Sequence, residues 1–187
     1  MPHRPPRSCF RRLHTVVRHD PWMDDLSGER DRRGPEWLAA IHEAGHAVSA
    51  ASMGVDCAKD LAIFATDDHR YWRGEFHCDL AGHGLFDVLV VAHAGWKAEF
   101  VEAGEHPHLS MSASDDRSIA VGLLSRDGRG SPGLENLAAM EEAERRVRQN
   151  WQHLKDLAVM LERDLRVTPN RVNGLLSKVA MNATGAA

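Results

Sequence analysis

The sequence predicts a mainly α-helical domain that carries one small β-hairpin. Apolar residues recur every three or four positions over residues 85–101 and 134–165, which is the spacing of helices with one buried face. Residues 61–76 instead hold two apolar-rich segments separated by a polar turn, which is typical of a hairpin. A chain of 187 residues with 43% hydrophobic content is long enough to bury one core around these elements.

Composition places this domain at residues 34–181. Residues 1–19 contain five arginines and no acidic residue, although the whole chain carries a net charge of −4. Because this segment has too few apolar residues to fold alone, we expect residues 1–33 to form a basic, disordered arm. The alternatives are that the basic segment is an organelle transit peptide, or that translation starts at Met23. Residues 182–187 are expected to be a flexible tail.

Composition also argues against several classes of protein. The mild net charge favours no nucleic-acid partner, and no apolar run approaches the roughly 20 residues needed to span a bilayer. The three cysteines, Cys9, Cys57 and Cys78, have no metal-ligand spacing, and an odd number suits a reducing compartment. We therefore expect a cytoplasmic protein without a membrane span, in which the cysteines have only structural roles.

The first helix of the domain is predicted at residues 35–54. Pro35 suits the first helical position and Gly54 suits the position after the last turn. The segment between them is rich in alanine, which favours helix and allows neighbouring elements to approach closely.

His42 and His46 give the strongest functional signal in the chain. Residues four apart lie on one face of a helix, so the two imidazoles can bind a single metal ion. Glu43 lies beside the same opening, where its carboxylate can act as a base. We predict a Zn²⁺ site on this helix; the alternative interpretation is a core or solvated histidine pair.

This combination of residues indicates hydrolysis of peptide bonds. Catalytic zinc is held by three protein ligands and keeps an open position for a water whose pKa falls to about 7. Glu43 would take a proton from that water as it attacks a peptide carbonyl, and would return the proton to the leaving amine. Histidine and carboxylate ligands also accept other divalent ions, and zinc is the expected one.

Three segments resemble the FtsH-type ATP-dependent metalloproteases. Residues 42–47, His-Glu-Ala-Gly-His-Ala, are the same as the zinc-helix sequence of that family. Residues 94–99 are similar to the family's Gly-Gly-Arg-x-Ala-Glu-Glu segment; Ala94 replaces its first Gly, and Phe100, the next residue, replaces its second Glu. Residues 112–116, Ser-Ala-Ser-Asp-Asp, are similar to its Gly-Ala-Ser-Asn-Asp segment.

The resemblance implies a third metal ligand. In the family the final Asp of the last segment binds zinc, and by position this is Asp116. Asp115 stands where the family has Asn, and its added charge could tune the site or let the two carboxylates exchange roles. Glu99 is a rival ligand or a carboxylate that orients a zinc-bound histidine. His106 and His108 are further candidates.

The hairpin after the zinc helix occupies the position of a strand region in the FtsH-type domain. In zinc peptidases an edge strand beside the metal receives the substrate as an added strand, through main-chain hydrogen bonds that do not depend on sequence. The alternative is a hairpin that only covers the core.

The resemblance extends over about residues 36–181, but FtsH-type proteases also carry an ATPase and membrane anchors. This sequence contains neither a phosphate-binding loop nor an apolar span. We therefore expect a zinc metalloendopeptidase that cuts peptides or unfolded proteins, either alone or beside a separate ATPase. The family assembles into rings, so a homo-oligomer is compatible with the resemblance.

Two other classes of function stay open. The departures at Ala94, Phe100 and Asp115 would suit a non-catalytic peptide-binding or regulatory protein with the same fold. Glu43 argues against this alternative, because hydrolysis needs that carboxylate and zinc binding does not. A regulatory protease that cleaves one specific repressor is the other alternative.

Overall fold

The structure is a computed structural model that describes residues 10–18, 34–67, 71–103, 122 and 132–183. In chain order its elements are β1 (Phe10–Arg18), α1 (Pro35–Ala51), β2 (Leu61–Ala65), β3 (Tyr71–Asp79), α2 (Leu85–Glu102), α3 (Pro132–Gln149), α4 (Trp151–Asp164), β4 (Arg166–Val167) and α5 (Pro169–Ala183). The prediction of a mainly α-helical domain with a small hairpin is confirmed. No helix in the described ranges is long and apolar enough to cross a membrane.

Helix α1 lies at the centre of the described structure. It packs against α2, α4 and β3, with α5 and β2 also alongside. All residues from Ala39 to Ala50 are buried, so no face of this part of the helix is left to solvent. Its many alanines and Gly45 make this possible, because small side chains let several neighbours approach one helix.

Helices α1 and α2 pack closely against each other at Gly45. A Cβ atom at that position would lie 2.6 Å from the carbonyl oxygen of Ala94 and 2.8 Å from the Cβ of Ala98. The small residues predicted to allow close helix packing therefore do so at this crossing. A hydrogen bond of 2.7 Å from the indole Nε1 of Trp37 to Glu102 also ties the two helices together.

The predicted long helix over residues 134–165 is divided into α3 and α4. Asn150 interrupts it with φ −109° and ψ 21°, and its side-chain amide donates to the carbonyl of Arg146. An Asn side chain that bonds the preceding turn competes with continuation of the helix. The apolar stripe continues across the break through Val147, Leu154 and Leu161, all of which are buried.

The four strands form one antiparallel sheet in the order β1, β3, β2, β4. β2 and β3 form the predicted hairpin, with Ala62 opposite Glu75 and Ala65 opposite Trp72. β4 pairs only with the first two residues of β2. Neither strand of the hairpin is therefore a fully open edge.

β1 comes from the segment that was expected to be disordered. Its residues pair with the whole of β3, from Phe10 opposite Asp79 to Arg18 opposite Tyr71. The expectation of disorder therefore does not apply to these nine residues. The rest of the arm, residues 1–9 and 19–33, lies outside the described residues, as does most of the helix predicted after Ser112.

Candidate metal centre

The imidazoles of His42 and His46 face each other inside the protein. Their Nε2 atoms are 2.9 Å apart, and the rings meet edge to face with centroids 4.7 Å apart. Both residues have no solvent-exposed surface. The four-residue spacing on α1 thus brings together the two nitrogens that the sequence predicted as metal ligands.

The outer nitrogen of each ring is held by an acceptor on α2. His42 Nδ1 lies 2.5 Å from Glu99 Oε1, and His46 Nδ1 lies 2.7 Å from the carbonyl oxygen of Val91. A carbonyl only accepts hydrogen bonds, so Nδ1 of His46 carries the proton. An ionised Glu99 requires the same of His42.

These two bonds determine what the Nε2 atoms present to each other. A neutral imidazole protonated at Nδ1 has a lone pair at Nε2, so two lone pairs face each other across 2.9 Å. This arrangement is repulsive unless a proton or a cation lies between the nitrogens. Zinc takes neutral imidazole nitrogens whose other N–H is bonded to a carboxylate or backbone carbonyl, so these two nitrogens have the chemistry of zinc ligands.

Gly95 of α2 provides the space in front of the two rings. A Cβ atom there would lie 2.5 Å from Nε2 of His46 and closer still to Nε2 of His42. Gly95 follows Ala94 in the second of the three segments that resemble the FtsH-type proteases. In the structure it leaves room directly over the two candidate ligand atoms.

The side chain of Glu43 faces the sheet. Its carboxylate lies against Gly74 of β3, where a Cβ atom would overlap it. Phe76, two residues further along β3, stacks on the ring of His46 with an angle of 9° between the planes. Alternate residues of a strand share one face, so Gly74 and Phe76 together form the wall behind Glu43 and His46.

The structure does not describe the predicted third ligand, Asp116. The other candidates also lie outside the described residues; they are Asp115, His106 and His108. Within the ranges that the structure describes, no group of three His, Cys, Asp or Glu residues could hold a metal ion. Glu99 contacts Nδ1 of His42, on the far side of the ring from Nε2, and this is the orienting position that the sequence offered as an alternative to ligation.

Sequence reasoning missed several parts of this site. Gly74 and Phe76 were assigned only to a hairpin. The role of the Val91 carbonyl could not be predicted, because every residue has a backbone carbonyl. Hairpin pairing places Gly74 beside α1, so a glycine inside an apolar strand was the available signal.

A separate polar cluster lies between α2 and α3. His93 contacts Asn136 at 2.8 Å and accepts the indole N–H of Trp96 at 3.2 Å. Lys97 donates to Glu144 at 2.7 Å, and this hydrogen bond holds the pKa of Glu144 below its ordinary value. These contacts fix α3 onto α2, and hence help to position Glu99.

No protein-family model matches the chain, and no curated protein sequence matches it significantly.

Replacement of Gly95 by Ala tests the space in front of the histidines. The added methyl group must displace the imidazoles or α2, so we expect the free energy of unfolding to fall by about 1–3 kcal/mol. Gly174→Ala is the matched control, because Gly174 lies in α5 with no atom within 4 Å of its ideal Cβ position. It should stabilise by about 0.5–1 kcal/mol through helix propensity. Urea unfolding followed by circular dichroism measures both; equal effects would contradict the packing described.

Proposed function

We propose that the chain is a metal-dependent peptidase in which His42 and His46 bind Zn²⁺ and Glu43 is the general base. The observation that carries the proposal is the pair of Nε2 atoms 2.9 Å apart, with both Nδ1 atoms held by acceptors on α2. The resemblance to the FtsH-type zinc helix supports it. By that resemblance Asp116 is the third ligand.

The metal and the chain's own residues have separate roles in this scheme. When bound, Zn²⁺ supplies a Lewis acid that lowers the pKa of water to about 7 and polarises a carbonyl. Glu43 takes a proton from the attacking water and passes it to the amide nitrogen as the C–N bond breaks. Glu99 keeps the ring of His42 oriented, and the Val91 carbonyl does the same for His46.

Peptides and unfolded proteins are the substrates that suit this site. His42, Glu43 and His46 are all buried, so a folded surface could not bring a peptide bond to them. An extended segment is narrow enough to enter after a local opening. A separate ATPase that unfolds substrates would extend the range to folded proteins.

An added substrate strand would pair with the side of β3 that faces away from β2, which β1 occupies in the structure. Gly74 of β3 lies against Glu43, and Thr15 of β1 is the residue opposite Gly74. β1 also approaches α1. In this arrangement the chain's own residues Phe10–Arg18 occupy the main-chain hydrogen-bonding groups that an added substrate strand would use.

The central experiment compares metal content and hydrolysis of an unfolded, fluorogenically labelled protein without ATP. We expect about one zinc per chain in the wild type. Glu43→Gln should keep the zinc and lose activity by about 10²-fold or more, because an amide cannot take the proton. Asp116→Ala and His42→Ala should lose both. His153→Ala, which changes a histidine on α4 away from the site, is the control and should match the wild type.

The outcomes separate the candidate functions. Zinc without turnover in the wild type would favour a non-catalytic binding protein or a peptidase that needs an ATPase partner. Full activity in Glu43→Gln would contradict the proposed base. Absence of zinc would favour the alternative interpretation, in which His42 and His46 are a histidine pair in the core.

Glu99→Gln tests the orienting role of Glu99. The amide oxygen can still accept from Nδ1 of His42, but the negative charge is lost, so we expect zinc affinity to fall about 10–100-fold. Glu102→Gln is the matched control, since Glu102 lies on the same helix and bonds Trp37 instead. Competition with a chelating dye measures both affinities. Complete loss of zinc in Glu99→Gln, with zinc retained in Asp116→Ala, would make Glu99 the ligand.

Removal of β1 tests whether it covers the substrate edge. A chain that starts at Met23 lacks Phe10–Arg18, and we expect its KM for an unfolded substrate to fall several-fold with little change in kcat. Thr15→Pro in the full chain should act in the same direction, because proline cannot donate a strand hydrogen bond. An unchanged or higher KM in both variants would show that β1 only completes the sheet.

A further inference from the structure

Cys57 and Cys78 are far apart in sequence but face each other in the fold. Cys57 lies in the connection between α1 and β2, Cys78 lies near the end of β3, and the two residues form an isolated antiparallel bridge. Both side chains are buried and both are free thiols. The sequence suggested only separate structural roles for these cysteines.

The hydrogen bonds around the bridge define its geometry. The amide of Ala58 donates to the carbonyl of His77 at 2.8 Å, so the adjacent pair, Cys57 and Cys78, is the non-hydrogen-bonded kind. In such pairs the Cα atoms are about 4.5 Å apart and the side chains lie on the same face. A disulfide needs a Cα separation of about 4.4–6.8 Å. The backbone therefore already has a spacing that a disulfide can bridge.

A second contact fixes Cys57 from the opposite side. The side-chain amide of Asn173 in α5 accepts from the backbone N–H of Cys57 at 2.9 Å and donates to its carbonyl at 3.2 Å. The β-bridge to Cys78 and these two hydrogen bonds with Asn173 together restrain the backbone of Cys57. Little rearrangement of the main chain is then needed to join the two sulfur atoms.

We propose that Cys57 and Cys78 are a reversible dithiol–disulfide pair that fastens β3 to the connection after α1. Gly74, Phe76 and Cys78 share the inner face of β3, and the first two contact Glu43 and His46. The disulfide would thus fix the strand that forms the wall of the candidate site. This inference does not depend on the peptidase proposal, because it involves neither the metal nor catalysis.

The reaction requires an oxidant, for which we take a low-molecular-weight disulfide. The Cys57 thiolate attacks one sulfur of that molecule and forms a mixed disulfide, and one small thiolate leaves. The Cys78 thiolate then attacks the Cys57 sulfur, which releases the second small thiol and forms the Cys57–Cys78 bond. The two protein thiols lose two protons and two electrons in total, and the small disulfide is reduced to two thiols.

Cys57 is the better first nucleophile. Burial raises the pKa of its thiol to about 11, and burial together with the neighbouring Cys57 raises the pKa of Cys78 to about 12. The thiol of Cys57 also donates to the carbonyl of Lys59 at 2.9 Å, a bond that the reaction must break. Residues flanking Cys57 are exposed, including Gly54, Asp56 and Ala58, so local opening of this connection gives the oxidant access. Oxidation of this pair should therefore be slow.

The test uses the full chain with Cys9→Ser, so that no third thiol can pair. The folded protein is incubated with oxidised glutathione at about pH 8, and thiols are then counted after denaturation. We expect loss of both thiols, a Cys57–Cys78 cross-linked peptide in the mass spectrum, and a rise in Tm of roughly 5–10 °C. Dithiothreitol should reverse all three changes.

Cys57→Ala and Cys78→Ala in the same background are the matched controls. Each keeps one thiol, so neither should form the cross-link or show the rise in Tm. The proposal is overturned if the folded two-cysteine protein keeps both thiols, stops at a glutathione adduct, forms the cross-link only in denaturant, or has a lower Tm when cross-linked.

Discussion

The close approach of α1 and α2 is the constraint on which the rest of the structure depends. At Gly45 and Gly95 the two helices are too close for a side chain on either position. This distance brings the Val91 carbonyl and Glu99 within hydrogen-bonding reach of the two histidines. A larger residue at the crossing would separate the rings from the acceptors that set their protonation. The small residues therefore serve the core and the candidate site at once.

Several features of the fold could be predicted because they depend on local patterns. The periodicity of Val147, Leu154 and Leu161 predicted the helical segment that forms α3 and α4, and the polar turn after Ala65 predicted the β2–β3 hairpin. The break at Asn150 was missed because the apolar stripe continues through it. β1 was missed because its pairing with β3 is a long-range contact, and composition reports only what a segment could bury alone.

The candidate site also combines local features, which could be predicted from the sequence, with long-range contacts, which could not. The spacing of His42, Glu43 and His46 on one helix is local, so the meeting of the two imidazoles could be predicted from it. The roles of Gly74 and Phe76 required the register of a hairpin against a helix. For Glu99, sequence reasoning offered two positions, and the contact with Nδ1 of His42 corresponds to the orienting one. The Cys57–Cys78 bridge joins residues whose separation in sequence carries no signal.

Because β1 pairs with the whole of β3, any other strand must displace β1 before it can pair there. β1 is joined covalently to α1 through residues 19–33, so it meets the edge of β3 as part of the same molecule. Covalent attachment makes this pairing intramolecular, so β1 acts at a fixed effective concentration that does not fall on dilution. A free peptide in the cell must match that value, or bind more strongly per residue, before it can replace Phe10–Arg18. The arm therefore sets a concentration threshold for any strand that adds at this edge.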